Sequence, residues 1–368
     1  MPFELEMNET ENIFTKKSIY RIKVIGVGGA GNNAVQRMTK KGVHDVELIA
    51  ANTDVQVLER NDAPIKIQLG KTLTRGLGAG GDPKIGRESA IESIEEVKNL
   101  IKGSDLLFIV AGFGGGTGTG AAPIIAKISK ELGILTVAIV TTPFHFEGAG
   151  RQKIALEGLV NLKENVDSLI KIANDKLLED ENVTVDEGFE KADDVLYQAI
   201  TGISDLITKP GLVNVDFADV AAVLRVKGSA MLGIGIARGK NRAEEAVKMA
   251  LNSRFLEDQI KNATATLVNI SGKNPTLLDI KVVNEFLSQK SIDSEKSKMG
   301  VSCIDVPDDM LKVTVVASGY DNIPEEDSND VYEIPAVYRM FSKSIVTEEI
   351  TKLNSYLNEH REENEEKE

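Results

Sequence analysis

A glycine-rich run at residues 112–120 is the stretch of this sequence best suited to chemistry. It reads Gly-Phe-Gly-Gly-Gly-Thr-Gly-Thr-Gly and separates an apolar run (106–111) from a helix-like run (121–132). Glycines can adopt positive φ and leave backbone N–H groups uncovered, while Thr117 and Thr119 add hydroxyls where a helix begins. Linkers are not usually placed between a buried strand and a helix. The run therefore predicts a loop that binds an anion, most simply a phosphate.

An earlier segment has the same order of strand, glycine turn and helix. Residues 22–25 read as a short strand, and Gly26, Gly28 and Gly31 follow it with the spacing G-x-G-x-x-G. Asp54 lies about twenty residues further on, which is the spacing of a dinucleotide-binding fold. A nicotinamide or flavin oxidoreductase is therefore the first alternative interpretation.

A third glycine-rich segment, residues 74–81, makes a dinucleotide site less favoured. It leads to a predicted helix over 85–101, and Pro83 is well placed as its start signal. Three glycine loops that each precede a helix can surround one triphosphate, whereas a dinucleotide needs mainly the first loop. The sequence contains no G-x-x-x-x-G-K-[ST] motif, so it is not that of a P-loop protein.

Strand-like and helix-like runs alternate from residue 22 onward, which is typical of a parallel sheet covered by helices on both faces. Ligands of such sheets lie at the carboxyl ends of the strands. Residues 189–208 predict a long helix that can join two domains. From Ser229 a second alternating region lacks glycine loops and predicts a smaller α+β domain. Its predicted elements are strands at 231–236, 265–270 and 312–317 and helices at 242–251 and 277–287.

Composition and charge exclude several classes of protein. Hydrophobic residues make up 42% and charged residues 27%, which is ordinary for a globular protein. No apolar run approaches the roughly 18 residues of a membrane span. The net charge of −14 opposes sequence-independent binding to nucleic acid or to an anionic membrane, because both need a basic surface. We expect no nucleic-acid partner and no direct membrane insertion.

The cysteine and histidine content argues against a metal centre held by the protein. The single cysteine, Cys303, can form no intramolecular disulfide, and the acidic N-terminus lacks a signal-peptide apolar region, so we expect a cytoplasmic protein. The three histidines, His44, His145 and His360, have no metal-ligand spacing.

Two pairs of charged residues have simple structural interpretations. Glu147 and Arg151 are four residues apart, the spacing of a surface ion pair on a helix. Asp216 and Asp219 precede a helical run at 220–226, where acids satisfy free N–H groups and the helix dipole. From the sequence pattern alone, capping is the favoured role of these two acids.

Five separated segments resemble, in matching order, motifs of the FtsZ family of prokaryotic, tubulin-like cell-division GTPases. They are residues 28–33, 74–81, 114–120, 143–151 and 214–220. The resemblance covers roughly residues 20–320 and a peptide from Glu333 to Arg339. A short linker before that peptide and a long acidic extension after it depart from the family pattern.

The resemblance implies a parallel-sheet GTP-binding domain that is joined by a long core helix to a smaller activation domain. The implied boundaries are a flexible arm at 1–20, the GTP-binding domain at 21–188, the core helix at 189–209, the activation domain at 210–320, a linker at 321–331, and a docking peptide with an acidic tail at 332–368.

The family's nucleotide-binding positions transfer residue by residue. Residues 29–33 would contact the nucleotide near the base, the sugar and the α- and β-phosphates, 79–80 would sense the γ-phosphate, and 116–118 would hold phosphates. Glu147 and Arg151 would reach the ribose and phosphates. The full implied set is Gly28, Gly29, Ala30, Gly31, Asn32, Asn33, Ala79, Gly80, Gly114, Gly115, Gly116, Thr117, Gly118, Thr119, Gly120, Glu147, Arg151, Asn174, Phe189 and Asp193.

Three of these positions would recognise guanine. Asn174 and Asp193 would bind its edge, and Phe189 would stack on it. Asp193 is chosen over Asp194 because it directly follows Ala192 in the matching motif. A carboxylate that accepts from the guanine N1–H and amino group separates GTP from ATP.

The resemblance also supplies a catalytic group that residues 20–200 lack. Asn214, Asp216 and Asp219 of one subunit would complete the site of its neighbour and polarise water toward the γ-phosphate, which replaces the capping interpretation. Mg²⁺ would be bound through phosphates and water, with no protein ligands. A head-to-tail contact that does not close gives a filament, so hydrolysis would depend on assembly.

The same resemblance implies a cytokinetic ring at midcell as the location. The peptide from Glu333 to Arg339 would bind membrane-tethering division proteins. A dinucleotide-dependent oxidoreductase and a non-hydrolysing tubulin-like filament protein remain as alternatives.

Overall fold

The structure is a computed structural model that describes residues 20–43, 45–177, 184–209, 211–213, 215–226, 229–251, 263–289 and 297–320. All of these belong to one compact unit. Residues 1–19 of the predicted arm, Asn214, the linker at 321–331 and the region at 332–368 lie outside the described residues.

The first half of the chain alternates strands and helices, as the sequence predicts. Its strands are β1 (Ile22–Val27), β2 (Glu47–Asn52), β3 (Ile65–Gln68), β4 (Leu106–Gly112), β5 (Leu135–Thr142) and β6 (Ser168–Ala173). Its helices are α1 (Gly28–Lys40), α2 (Val55–Arg60), α3 (Lys71–Thr74), α4 (Pro83–Glu92), α5 (Ile94–Ile101), α6 (Thr117–Glu131) and α7 (Ala149–Lys163), with short 3-10 helices at His145–Glu147 and Asn174–Leu177.

A long helix leads into the second half of the chain. The remaining elements are α8 (Val185–Thr208), β7 (Gly211–Val213), α9 (Phe217–Leu224), β8 (Ser229–Arg238), α10 (Arg242–Leu251), β9 (Ala265–Gly272), α11 (Leu277–Gln289), β10 (Ser297–Cys303) and β11 (Met310–Tyr320). All five elements predicted for this region are confirmed, four of them with longer bounds and α10 with the predicted ones.

The eleven strands form one sheet in the order β3-β2-β1-β4-β5-β6-β8-β11-β9-β10-β7. Strands β1 to β6 are mutually parallel, which confirms the predicted parallel sheet. Strand β8 pairs with β6 through only Leu169 and Ile170 on the β6 side. Strand β11 runs antiparallel to both β8 and β9. This short pairing joins the two halves of the sheet. The domain boundaries given above stay a prediction.

The core follows directly from the apolar runs. Residues 106–111 of β4 are all buried, as expected of a central parallel strand. Helix α8 contributes Leu196, Ala199, Ile200 and Ile203, each no more than 1% exposed, to the same cluster as residues of β1 and β4. The broad apolar face that the sequence predicts for this helix is therefore its packing surface.

Several helix bounds differ from the sequence prediction, and three of them have a structural reason. Helix α8 begins at Val185 rather than at residue 189, because Thr184 and Glu187 form a reciprocal capping box. The predicted helix over 85–101 is interrupted at Ser93, whose Oγ accepts a hydrogen bond from Gly70 N at 3.0 Å. Helix α9 begins at Phe217 rather than at residue 220, so Asp219 lies inside its first turn.

Candidate nucleotide-binding site

Two glycine loops meet at the point where the strand order reverses. Strand β1 is hydrogen-bonded to β2 on one side and to β4 on the other, and its carboxyl end leads directly into α1. A Cβ placed on Gly28, whose φ is +72°, would lie 2.8 Å from Gly118 N, and one on Gly112 would lie 2.6 Å from the Ala30 Cβ. The N-termini of α1 and α6 are therefore adjacent, and two helix N-termini together favour an anion.

The third glycine loop reaches the same place. A Cβ on Gly116 would approach the Ala79 Cβ at 2.8 Å and the Asp82 backbone N at 2.9 Å. The loop is held to the end of β2 by hydrogen bonds from Gly78 N to Thr53 O at 3.3 Å and from Val55 N to Gly76 O at 3.1 Å. All three glycine-rich segments predicted from the sequence are thus brought together.

The glycines of the central loop fall into two groups. Gly116, Gly118 and Gly120 are required by packing, because a Cβ at each would come within 3.0 Å of backbone atoms of other residues. Around Gly29 and Gly115, in contrast, a Cβ would meet nothing within 4 Å, and neither residue has a positive φ. Neither packing nor backbone conformation requires glycine at these two positions. Glycine at these positions leaves room for a ligand to approach the backbone closely.

The two threonine hydroxyls of this loop have protein partners. Thr119 is buried, and its Oγ1 accepts from Gly114 N at 3.0 Å, so this hydroxyl stabilises the loop. Thr117 shares a 2.6 Å hydrogen bond with the Thr53 hydroxyl at the end of β2. Thr53 was not predicted as a site residue, because its only signal in the sequence is its place after a strand.

Asn32 and Asn33 occupy different environments on α1. Asn32 is fully buried, and with its amide turned to suit its neighbours it donates to Gly26 O at 2.9 Å and accepts from Asn52 Nδ2 at 3.0 Å. This side chain therefore supports the turn between β1 and α1. Asn33 is exposed beside the open Gly29.

Polar and aromatic side chains follow β5 and β6 at the same edge of the sheet. Glu147 forms an ion pair with Arg151 and accepts from Phe144 N at 2.9 Å, so the predicted i,i+4 pair is present. Phe189, which is 41% exposed, meets the Phe144 ring edge-on at a centroid distance of 5.3 Å. Asn174 directly follows β6, and its Oδ1 is buried without a hydrogen-bond partner among the described residues.

Asp216 and Asp219 lie elsewhere in the subunit. Phe217, the neighbour of Asp216, stacks on Tyr20 with ring centroids 4.8 Å apart, just before the amino end of β1. The glycine loops follow the carboxyl end of this six-residue strand, about 20 Å further along. Fifteen residues of α8 separate Asp193 from Thr208, which is about 22 Å at the rise of an α-helix. The structure therefore does not bring the two acids to the glycine loops of their own chain.

Comparisons with known proteins agree with this geometry. Residues 21–182 match the Tubulin/FtsZ family, GTPase domain, and residues 228–321 match the FtsZ family, C-terminal domain. An empty FtsZ dimer from M. jannaschii is 45% identical with a TM-score of 0.79, over 83% of this chain and 90% of the other. The chain belongs to the tubulin/FtsZ family.

Further similar structures extend the comparison. A mutant FtsZ from M. jannaschii is 46% identical with a TM-score of 0.77, over 82% of this chain and 91% of the other. A GTPγS-bound protofilament of CetZ2 from Haloferax volcanii is 23% identical with a TM-score of 0.68, over 81% of this chain and 93% of the other, which shows the shared fold alone. As a member of the tubulin/FtsZ family this protein is a GTPase that binds GTP, and the oxidoreductase alternative has no support.

In this tubulin/FtsZ-family protein, adjacent carboxyl groups on α8 have pKa values shifted in opposite directions. Burial raises the pKa of Asp193 to about 7, although the Arg37 charge opposes the rise and Glu190 adds to it. Burial also acts on Asp194, but hydrogen bonds from Lys41 and Gln198, with the charges of Lys41 and Arg37, lower its pKa overall.

Hydrogen bonds explain this difference. Asp194 Oδ1 lies 2.8 Å from Lys41 Nζ and 3.1 Å from the Arg37 guanidinium, and its Oδ2 accepts from Gln198 at 2.5 Å. No side chain within the described ranges donates a hydrogen bond to Asp193. A half-buried carboxylate without a protein donor is suited to accept from a ligand.

The described residues contain no group of three or more His, Cys, Asp or Glu side chains that could hold a metal ion. A search of the same residues for a helix long and apolar enough to cross a bilayer finds none.

Proposed function

We propose that this tubulin/FtsZ-family GTPase polymerises head-to-tail into filaments that form the cytokinetic ring, and that it hydrolyses GTP at the interface between subunits. Asn214, Asp216 and Asp219 of one subunit would complete the nucleotide site of the next. The observation that carries the proposal is that the acids lie near the amino end of β1, where Phe217 stacks on Tyr20, whereas the glycine loops of the same chain follow its carboxyl end, about 20 Å away. The dimeric state of the FtsZ relative is consistent with self-association.

The nucleotide site proper is assigned to the carboxyl ends of β1, β4, β5 and β6. Backbone N–H groups at the starts of α1 and α6 would bind the phosphates, and the open space beside Gly29 and Gly115 allows them to approach. Asn174 and Asp193 would accept hydrogen bonds from guanine. Phe189, which is partly exposed and supported by Phe144, would stack on the base.

Hydrolysis would need little chemistry from the subunit that binds the nucleotide. Phosphoryl transfer depends mainly on positioning and charge neutralisation. Mg²⁺, when bound, would neutralise phosphate charge, and phosphates and water would suffice as its ligands without a protein side chain. Asp216 and Asp219 carry two negative charges on a surface where neither makes a capping hydrogen bond with a described residue. On the partner's site these carboxylates would orient the attacking water toward the γ-phosphate.

Two inactive variants test whether the site is shared. Asp219→Ala keeps the nucleotide pocket but removes the acid, and Asp193→Ala keeps the acid but removes the guanine contact. In a mixed filament, the intact nucleotide pocket of an Asp219→Ala subunit can face the intact acidic loop of an Asp193→Ala subunit. Random pairing of equal amounts makes about one interface in four complete. We expect each variant alone to release almost no phosphate and the mixture to recover up to about a quarter of wild-type turnover.

Co-sedimentation of the two variants is the necessary control. Phosphate release and light scattering are followed in the same sample with GTP and Mg²⁺. Co-sedimentation without recovered turnover would overturn the shared site, and so would turnover by Asp219→Ala alone. The wild-type protein should also show turnover per subunit that rises with protein concentration.

The peptide from Glu333 to Arg339 is assigned to a second function, binding of membrane-tethering division proteins. Such partners would hold the ring at the membrane. We therefore propose a cytoplasmic location at the midcell division ring.

A further inference from the structure

The first turn of α9 carries two acids that do not cap the helix. Asp216 is the N-cap residue, but its side chain makes no capping hydrogen bond. Asp219 is the third helical residue, where an acidic side chain commonly folds back to the N-cap N–H. The Asp219 N–H bonds to Asp216 O at 2.9 Å, while its carboxylate lies 2.9 Å from Lys298 Nζ.

Lys298 is held on the sheet edge that also carries the acidic loop. It lies on β10 opposite Leu267 of β9, two strands whose pairing spans seven residue pairs. On its other side β10 pairs with β7 through Val301 and Val213, and β7 leads to the acids. The lysine and the start of the acidic loop are therefore attached to the same strand.

The ion pair remains accessible to a second copy of the chain. The Lys298 and Asp219 side chains are each 40% exposed. Without the lysine, the Asp219 carboxylate would be attracted to the N-terminus of its own helix, where N–H groups and the dipole favour an anion. The lysine also offsets one of the two negative charges that the acidic loop presents to a triphosphate.

We propose that Lys298 is a positioning residue, which directs the Asp219 carboxylate away from its own helix and toward the nucleotide of a second copy of this chain. This inference rests on the proposed function, since it assigns Lys298 to the subunit that donates the acid. The sequence gives no local signal for it, because 79 residues separate the two partners.

Three variants separate this role from a general effect on folding. Lys298→Met removes the charge, Lys298→Arg retains it, and Lys248→Met removes a lysine from a comparable exposed pair with Glu244. We expect Lys298→Met to lower kcat about two- to fivefold, the range that an exposed ion pair supports, without changing the KM for GTP. Lys298→Arg should recover most of this loss, and Lys248→Met should match the wild type.

A mixed-subunit experiment shows which subunit needs the lysine. The parent mixture contains Asp219→Ala subunits, which supply nucleotide sites, and Asp193→Ala subunits, which supply acids. Adding Lys298→Met to the acid-supplying subunit should lower phosphate release two- to fivefold. The same change in the nucleotide-supplying subunit should have no effect.

The outcomes distinguish the two proposals. An inactive but co-sedimenting parent mixture would overturn the shared site itself. If the parent mixture is active, unchanged turnover with Lys298→Met in the acid-supplying subunit would overturn the role of Lys298 alone. An equal loss from Lys298→Met in either subunit would also overturn it, because that pattern indicates a structural effect.

Discussion

Asp193 and Asp194 are consecutive residues of α8, yet only Asp194 is bonded to protein donors. Lys41, Arg37 and Gln198 surround the Asp194 carboxylate, whereas Asp193 is half-buried and receives no side-chain hydrogen bond within the described residues. The helix is thus fixed to α1 through one carboxyl group, and the other is left for a ligand. This difference supports the proposal that Asp193 binds guanine.

GTP affinity should fall at acidic pH. The pKa of Asp193 is raised to about 7, and only the ionised carboxylate accepts both guanine hydrogen bonds. Below pH 7 the dissociation constant should therefore rise by about tenfold per pH unit, and above pH 8 it should be constant. Equilibrium binding of GTP between pH 5.5 and 8.5, in roughly half-unit steps, measures this dependence.

Asp193→Asn supplies the control for this titration. The nucleotide's own terminal phosphate also titrates, but it does so equally with the variant. The variant should bind GTP weakly and show a shallower pH dependence than the wild type. Parallel pH profiles for the two proteins would contradict the assignment.

The stability of the nucleotide-free protein should depend on pH in the opposite direction to the GTP affinity. Because the folded pKa of Asp193 lies above its ordinary value of 3.8, the folded state binds the extra proton between the two values. The contribution of this group to the free energy of unfolding is therefore greatest at low pH and is lost as the pH rises toward 7.

The sequence predicts this fold well wherever local pattern determines structure. The run at 106–111 is recognisable as a buried strand, and Pro83 begins α4 as predicted. The break at Ser93 is not recognisable, because it depends on a hydrogen bond from Gly70, more than twenty residues earlier. Contacts between distant segments are invisible to periodicity.

The candidate site, like the fold, could be predicted from the sequence only where local pattern determines it. Glycine content predicts the three loops, but it does not separate glycines that packing requires, such as Gly120, from those that leave space, such as Gly29. The sequence places two hydroxyls at the start of α6, whereas the structure uses that of Thr119 to stabilise the loop. The pairing of Lys298 with Asp219 depends on the register of β10 and was not predicted.

Arg75 offers a test of backbone strain in the third glycine loop. It is the only non-glycine residue of the described chain with a positive φ, at 51°. Such a conformation costs a side-chain-bearing residue about 1–2 kcal/mol, part of which glycine recovers after its own entropic cost. Arg75→Gly should therefore raise the free energy of unfolding by about 0.5–1 kcal/mol. Arg75→Ala, which keeps the strain, is the matched control in denaturant unfolding, and equal stability of the two variants would refute the argument.

Removal of the chain after Ile334 should separate enzymatic activity from location. The glycine loops and the acids at 216 and 219 all belong to the unit that ends at residue 321. We therefore expect the truncated protein to keep wild-type turnover and to lose recruitment to midcell, seen by fluorescence of tagged protein. Normal recruitment would show that the peptide from Glu333 to Arg339 does not bind the tethering partners.

Alanine substitutions at Gly29 and Gly120 distinguish a glycine that leaves room for a ligand from a glycine that packing requires. A Cβ on Gly120 would collide with the Pro83 carbonyl and lie 2.6 Å from Arg87 N, both on α4. Gly120→Ala should therefore lower the free energy of unfolding by about 3 kcal/mol. A Cβ on Gly29 meets no atom within 4 Å, and in helix α1 alanine should stabilise the nucleotide-free protein by about 0.5–1 kcal/mol.

The stabilising substitution, Gly29→Ala, should nevertheless impair GTP binding. Gly29→Ala should weaken GTP binding by tenfold or more, on the order of 1.4 kcal/mol, because the methyl group occupies the space assigned to the nucleotide. Denaturant unfolding without nucleotide and equilibrium binding of GTP measure the two effects separately. Wild-type GTP affinity in a stable Gly29→Ala protein would remove the main reason for placing the nucleotide against the start of α1.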